Sequence, residues 1–228
     1  MHKVTIRATE VEKTFAWAAL FGEEVAAMER LRRHADNVPL SDGWRARVPS
    51  LLAVEESRAT IVMERARGET LLRLLESPEL VPWRQIGEAI GAFHASASAA
   101  GAAPHGDMSV LNVVVELRLR EIWFIDPARS SPTPSVWDDV LLLLWALFHR
   151  GLMRGLGLRR ATDLLAGWRS RFGRVVQATE AYRSWPQVRT TLQRRHGRRP
   201  ATVQACAYWI FRYLWLPAVL AAASRRRD

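Results

Sequence analysis

The chain of 228 residues has a single cysteine, Cys206, so no disulfide can form within it. That fits a reducing compartment. The opening stretch, MHKVTIRATEVEK, has no apolar run of the kind a secretory leader needs, and the expected location is the cytoplasm. Lysine is almost absent: Lys3 and Lys13 are the only two among 33 basic residues. Where arginine is the default cation, a retained lysine points to a place that needs a compact ammonium. No glycine precedes Gly22. No Walker loop, GxSxG elbow or zinc pattern occurs, and His34, His94, His149 and His196 are not at metal-ligand spacings. There is no Gly/Ser-rich linker, internal repeat or low-complexity segment, so residues 1–228 are expected to form one domain.

Acidic residues run short in the last third. Residues 150–228 hold 17 arginines against 3 acids, whereas residues 1–149 hold 16 basic residues against 20 acidic ones. A basic half suits an anionic partner, and the partner considered is an anionic membrane surface or an anionic acceptor. A solvated arginine face accounts for the same charge. No recognition motif supports nucleic acid.

What is present is globular: 49% of the residues are apolar. Residues 3–15 alternate with β-branched positions and predict a strand. EEVAAMERLRRH predicts a helix with Val25, Met28 and Leu31 on one face. Residues 36–44 read as loop, followed by strands in VPSLLAVEES and ATIVMERA. Helices are predicted over 71–80 and 82–99, then a hairpin over 113–117 and 121–126. After SSPTPS, helices are predicted over 137–150, 158–172 and 202–223. The order gives an α+β fold, a small sheet lobe joined to a mostly helical one.

The chemistry concentrates in PHGDMSVLN and the strand EIWFID behind it. Asp107 and Asn112 are five apart, and Asp126 follows at the end of an apolar run. Phosphoryl transfer needs an acceptor for a hydroxyl proton, and oxygens to hold Mg²⁺ on nucleotide phosphates. A carboxylate on a tight loop, an amide one turn later and a second carboxylate at a hairpin end supply these groups. Mg²⁺ favours such hard oxygen ligands.

HGDMSVLN (His105 to Asn112) resembles the catalytic loop HGDxxxxN of the kinase-like phosphotransferases, which include aminoglycoside phosphotransferases, lipopolysaccharide-core kinases and RIO-type kinases. FIDPA stands where that family has its metal-binding Asp, with Pro127 in place of the common aromatic. IVMERARGETL resembles the hinge between the lobes, and WDD the start of the following helix. The resemblance covers residues 10 to 150. It implies a protein-kinase-like bilobal fold with a reduced N-terminal sheet lobe (1–66) and a helical C-terminal lobe (67–228). It implies ATP and Mg²⁺ as cofactors, with Asp107 as catalytic base and Asn112 and Asp126 as metal ligands. Lys13 would bind phosphates, Glu24 (or the adjacent Glu23) would hold Lys13, and the backbone of Glu64, Arg65 and Ala66 would bind adenine. His105 would bond within the loop, and Asp139, with Asp138 as its alternative, would brace it. The expected activity is transfer of phosphate from ATP to a hydroxyl of a small molecule or sugar-containing lipid. The rival is a pseudokinase, a nucleotide-binding or regulatory module. That rival is favoured by the short segment before Lys13, which has no room for a complete glycine-rich hairpin.

Residues 205–223, ACAYWIFRYLWLPAVLAAA, are apolar except for Arg212. Arg212 and Pro217 oppose a membrane span. A buried helix is expected first, an interfacial helix second, and Cys206 is expected to be buried with it.

Overall fold

The structure, a computed structural model, describes residues 2–16, 18–76, 81–127, 135–151, 157–173, 178–196 and 201–225. The expected end of the 71–80 helix and most of SSPTPS lie outside the described residues.

The first sheet is four-stranded and antiparallel, in the order β1 (His2–Ile6), β2 (Glu10–Phe15), β6 (Thr60–Glu64), β5 (Leu51–Glu55). The single strand expected over 3–15 is in fact a hairpin. The chain reverses at residues 7–9, where the Arg7 N–H donates to the Glu10 carbonyl at 2.9 Å. The turn IRATE contains no glycine, proline or asparagine to announce it. One strand therefore precedes the lysine-bearing strand, and Lys13 lies opposite Val4 on one side and Ile61 on the other.

Helix α1 (Ala18–Ala35) packs on this sheet through Met28 and Leu31, both buried, with Val25 partly buried beside them. The second sheet has five strands, in the order β3 (Val38–Pro39), β4 (Arg45–Arg47), β9 (Glu121–Phe124), β8 (Val113–Glu116), β7 (Glu69–Thr70). Here residues 36–44 depart from the expected loop. They contribute β3 and a short 3-10 turn, and β4 then pairs parallel with β9, Arg45 opposite Glu121. The strand pair is locked at its side chains: Arg47 donates to Glu121 at 2.9 Å and lies over the Trp123 ring at 4.7 Å. Residues from both sides of position 66 therefore build this sheet, and it fastens the N-terminal segment to the β8–β9 hairpin.

The remaining elements are helical: α2 (Leu71–Glu76), α3 (Trp83–Ala99), α4 (Val136–Gly151), α5 (Gly157–Phe172) and α6 (Ala178–His196). The chain then runs through α7 (Ala201–Ile210), a π-helical turn (Phe211–Trp215) and α8 (Leu216–Arg225). This is the α+β arrangement, a small sheet lobe and a mostly helical lobe, that the sequence predicts. Helix α6 was not singled out in the sequence. It buries Ala181, Trp185, Val188 and Leu192 at helical spacing despite Pro186 in its interior. An aromatic cluster joins α4 and α6 to the C-terminal helix, with Trp145 to Tyr208 at 4.9 Å and Trp185 to Phe211 at 4.8 Å between ring centres.

Helices α3 and α5 cross at near-backbone contact. A Cβ at Gly87 would lie 1.9 Å from the Leu164 carbonyl oxygen, and one at Gly167 would lie 1.9 Å from that of Arg84. Backbone cannot yield as a side chain does. Gly87→Ala or Gly167→Ala should therefore cost at least about 1–3 kcal/mol of stability, as overpacking does. Gly22 in α1 has nothing within 4 Å of its missing Cβ, and Gly22→Ala should stabilise by up to about 1 kcal/mol through helix propensity. Urea denaturation of the three variants reads both signs; equal effects would contradict the close crossing.

Candidate active site

Three elements meet at Lys13. Its position in β2 carries the ammonium inward, and 8% of the residue is exposed. Nζ lies 2.7 Å from Glu24 Oε1 on α1 and 2.8 Å from Asp126 Oδ1 after β9. Glu24 is wholly buried, while Glu23 beside it is exposed, which settles the choice between the two neighbours. The Asp126 side chain is 46% exposed, so this end of the triad opens to solvent. Burial alone would lower the Lys13 pKa, but the charges of Asp126 and Glu24 outweigh it and raise the pKa above its ordinary value. The ammonium is therefore charged throughout the neutral range.

Asp126 has a left-handed backbone, φ 54°, which Asp tolerates better than most residues. That turn ends the strand and breaks the extended direction where the carboxylate is presented. Gly106, φ 79°, makes the corresponding sharp turn in the 105–112 loop.

The loop is held by directional bonds. The Asp107 N–H donates to His105 Nδ1 at 3.3 Å, and His105 Nε2–H donates to the Ile125 carbonyl at 3.1 Å. Both ring nitrogens are committed, and burial lowers the His105 pKa, so the ring is neutral and structural rather than a base. Asp139 is fully buried and receives the Met108 N–H at 3.2 Å and His94 Nε2–H at 3.0 Å. Trp168 Nε1–H donates to His94 Nδ1 at 2.9 Å, which fixes the tautomer. This chain of donors ties α5, α3 and α4 to the loop. Asp139, not Asp138, braces it; Asp138 accepts the Ser135 N–H at 2.9 Å, at the start of α4.

Asn112 spends both amide hydrogens on backbone carbonyls, Asp107 at 2.8 Å and Asp126 at 3.3 Å. Its Oδ1 is the group left for a ligand. The Asp107 carbonyl also accepts the Ser109 N–H at 2.8 Å, so the backbone carrying the half-buried Asp107 carboxylate is fixed on both sides. Among the described residues no three His, Cys, Asp or Glu side chains cluster at metal-binding distance. An amide oxygen and one carboxylate suit Mg²⁺ that completes its shell with phosphate oxygens and water, and do not suit an all-protein cage.

At the hinge the geometry redirects one expectation. The Glu64 N–H donates to the Ser50 carbonyl and the Arg65 N–H to the Thr9 carbonyl, both at 2.8 Å. Those two donors are satisfied within the chain. A cleft of about 450 Å³ opens beside them, lined by Ala8, Thr9, Leu52 and residues 64–68. Gly68, φ 100°, lets the chain leave it against β8, where a Cβ would lie 2.2 Å from the Val115 carbonyl oxygen. The Arg7–Thr9 turn and its bonds to the hinge carried no sequence signal.

No protein-family model matches this chain, and no curated protein matches it in sequence. Among solved structures it is similar to the bifunctional kinase-methyltransferase WbdD, at 19% identity over 75% of this chain, TM-score 0.42. The chain spans 42% of the length of that protein. It is also similar to the aminoglycoside phosphotransferase APH(3'')-Id from Streptomyces rimosus, at 14% identity over 79% of this chain and 89% of that one, TM-score 0.41. These likenesses concern the fold; the reading of activity below rests on the site.

Asp138 offers a pH test of the brace region. Burial first, and then the Asp139 charge, push its carboxyl up to about 6, against the Ser135 N–H, which lowers it. A raised folded pKa contributes stability that is fully present below the unfolded value of about 3.9 and is lost as pH rises through about 6. Asp138→Asn keeps an acceptor for Ser135 and removes the charge. Its melting temperature should match the wild type at pH 4 and exceed it at pH 7. A difference that does not change between those pH values would show that burial of this charge is not at work.

Proposed function

We propose that the protein is an ATP-dependent phosphotransferase acting on a hydroxyl of a small molecule or sugar-containing lipid. The observation that carries this reading is the Lys13 ammonium within 2.8 Å of both Glu24 and Asp126, with the Asn112 amide bonded to the backbone of Asp107 and Asp126. A buried cation beside a half-open carboxylate is a site for polyanionic phosphate and its metal. Mg²⁺ bound with the nucleotide would supply charge neutralisation of the transferring phosphoryl group. Asp126 and the Asn112 Oδ1 would hold that metal. Lys13, retained by Glu24, would neutralise phosphate oxygens. The purine would sit in the cleft at residues 64–68, where Ala66 and Arg67 follow the two hinge N–H groups already bonded. Asp107 would orient the acceptor hydroxyl and take its proton; the burial and committed nitrogens of His105 oppose a competing role for that ring.

One observation favours the second reading, a nucleotide-binding pseudokinase. Among the described residues, the turn before the lysine-bearing strand, residues 7–9, has no glycine and is bonded to the hinge through Thr9 and Arg65. Turnover decides between the two readings.

The purified chain should hydrolyse Mg²⁺–ATP slowly and faster with an acceptor from a hydroxyl-compound screen. Asp126→Asn should remove the thermal shift produced by Mg²⁺–ATP and abolish turnover, while the protein stays folded on the Lys13–Glu24 pair. Wild-type turnover in that variant would sink the metal assignment. Asp107→Ala should keep the Mg²⁺–ATP thermal shift and lose about 10²–10⁴-fold in transfer, the usual contribution of a general base. Lost nucleotide binding with intact turnover would contradict its role. A nucleotide-induced shift without turnover under any acceptor would establish the pseudokinase.

A further inference from the structure

The C-terminal helix has two apolar faces, and the fold uses only one. Tyr208, Phe211, Leu216, Val219, Leu220 and Ala223 are buried. Between Phe211 and Leu216 the buried spacing widens to five residues, which is the π-helical turn Phe211–Trp215. That turn re-phases the buried stripe so that α8 continues to face the core. The opposite face is open. Trp209, Ile210, Tyr213 and Leu214 are 38–57% exposed, and Cys206 and Ala218 extend the row at either end. The expectation of a buried helix therefore holds for half of its circumference only, and Cys206, expected to be buried, is exposed.

By length and composition Gln204–Arg225 is apolar enough to cross a membrane. Its inner face, however, is part of the same core as Trp145 and Trp185. Spanning would strip that core, so a membrane could meet only the outer face. Among the described residues, Arg212, Arg225 and Arg189 accompany it. Arg212 is half-buried with its guanidinium 5.1 Å from the exposed Tyr213 ring. Arg225 is exposed, four residues past the exposed Ala221. Arg189 on α6 is exposed, with its guanidinium 5.6 Å from the Tyr208 ring. The wider region repeats the sign, with 17 arginines and 3 acids over residues 150–228.

We infer that this face docks on an anionic lipid bilayer, with the helix lying in the plane of the interface. Tryptophan and tyrosine favour the headgroup level, arginine stems reach along apolar surface to phosphate, and a helix with an apolar stripe and flanking cations lies in this way. A second copy of this chain is a poorer occupant. A two-fold contact through the stripe would bring Arg212 and Arg225 against themselves, and this half offers few acids to meet them. Of those acids, Glu180 already accepts the Trp137 indole N–H at 3.3 Å. The inference does not depend on phosphotransfer.

The full chain is co-sedimented with vesicles of phosphatidylcholine and phosphatidylglycerol, and with phosphatidylcholine alone, at low and high salt. Binding should require the anionic lipid and fall at high salt, because screening shortens the reach of the arginines. Arg225→Gln should weaken it about five-fold, the effect of one basic residue near an anionic surface. Trp209→Ser with Leu214→Ser should weaken it at least ten-fold with an unchanged melting temperature, since both side chains are exposed. The proposal is overturned by any of three results: no sedimentation with either vesicle, equal binding by the double variant and the wild type, or a concentration-dependent dimer abolished by the double variant without vesicle binding.

Discussion

The double ion pair of Lys13 is the constraint on which the rest of the site depends. A buried ammonium is tolerable only when its charge is met, and here two carboxylates from different elements meet it. Removing one member of a buried pair typically costs about 3–5 kcal/mol, because the other is left uncompensated. Glu24, with no exposure, is the member that cannot be left alone. The pair therefore fixes α1 against β2, while the exposed side of Asp126 remains available to exchange partners. A guanidinium would not serve as well, being planar and forked where a single point charge must reach two oxygens. That is a physical reason for one of only two lysines to survive in an arginine-rich chain.

Asp126 in turn is placed by a second set of bonds that carries no net charge of its own. The Asn112 amide bridges the carbonyls of Asp107 and Asp126, and neutral His105 bridges the Asp107 N–H and the Ile125 carbonyl. Each bridge crosses between the loop and the strand end, so the two carboxylates cannot shift independently. Behind them the Trp168–His94–Asp139–Met108 relay runs from α5 through α3 and α4 to the loop. The α3–α5 crossing through Gly87 and Gly167 sets the separation over which that relay must reach. Helix packing and site geometry are in this sense one problem.

The features legible in the sequence were those carried by local pattern. Lys13, the 105–112 loop, Asp126 and the helix with Met28 and Leu31 at regular spacing declared themselves through residue type and interval. Glu24 against Glu23, and Asp139 against Asp138, were near-ties by pattern; burial decided the first and the Met108 N–H, which Asp139 receives, decided the second, and both depend on partners far along the chain. The features missed were non-local or contradicted a local rule. The 7–9 turn uses residues without turn preference, and β4 pairs in parallel with a strand 76 residues away (Arg45 with Glu121). Helix α6 contains a proline, and the outward half of the C-terminal helix looks the same in sequence as a buried one.

The hinge shows how the reduced N-terminal lobe remains fixed without a further strand. The Thr9 carbonyl receives the Arg65 N–H, and the Arg65 guanidinium donates back to the Arg7 carbonyl at 3.2 Å. The turn before β2 is thus bonded to the segment between the lobes, continuing the β2–β6 ladder past Glu64. In place of a flexible cover, the chain has a short turn anchored at both sides. Such a turn can wall the cleft beside residues 64–68 but has little slack to fold over phosphates. In the proposed reading, charge neutralisation at the phosphate end would fall to Lys13 and to cations that arrive with the ligand. The same triad that holds the lobe together is therefore the part of the site that any nucleotide would have to engage.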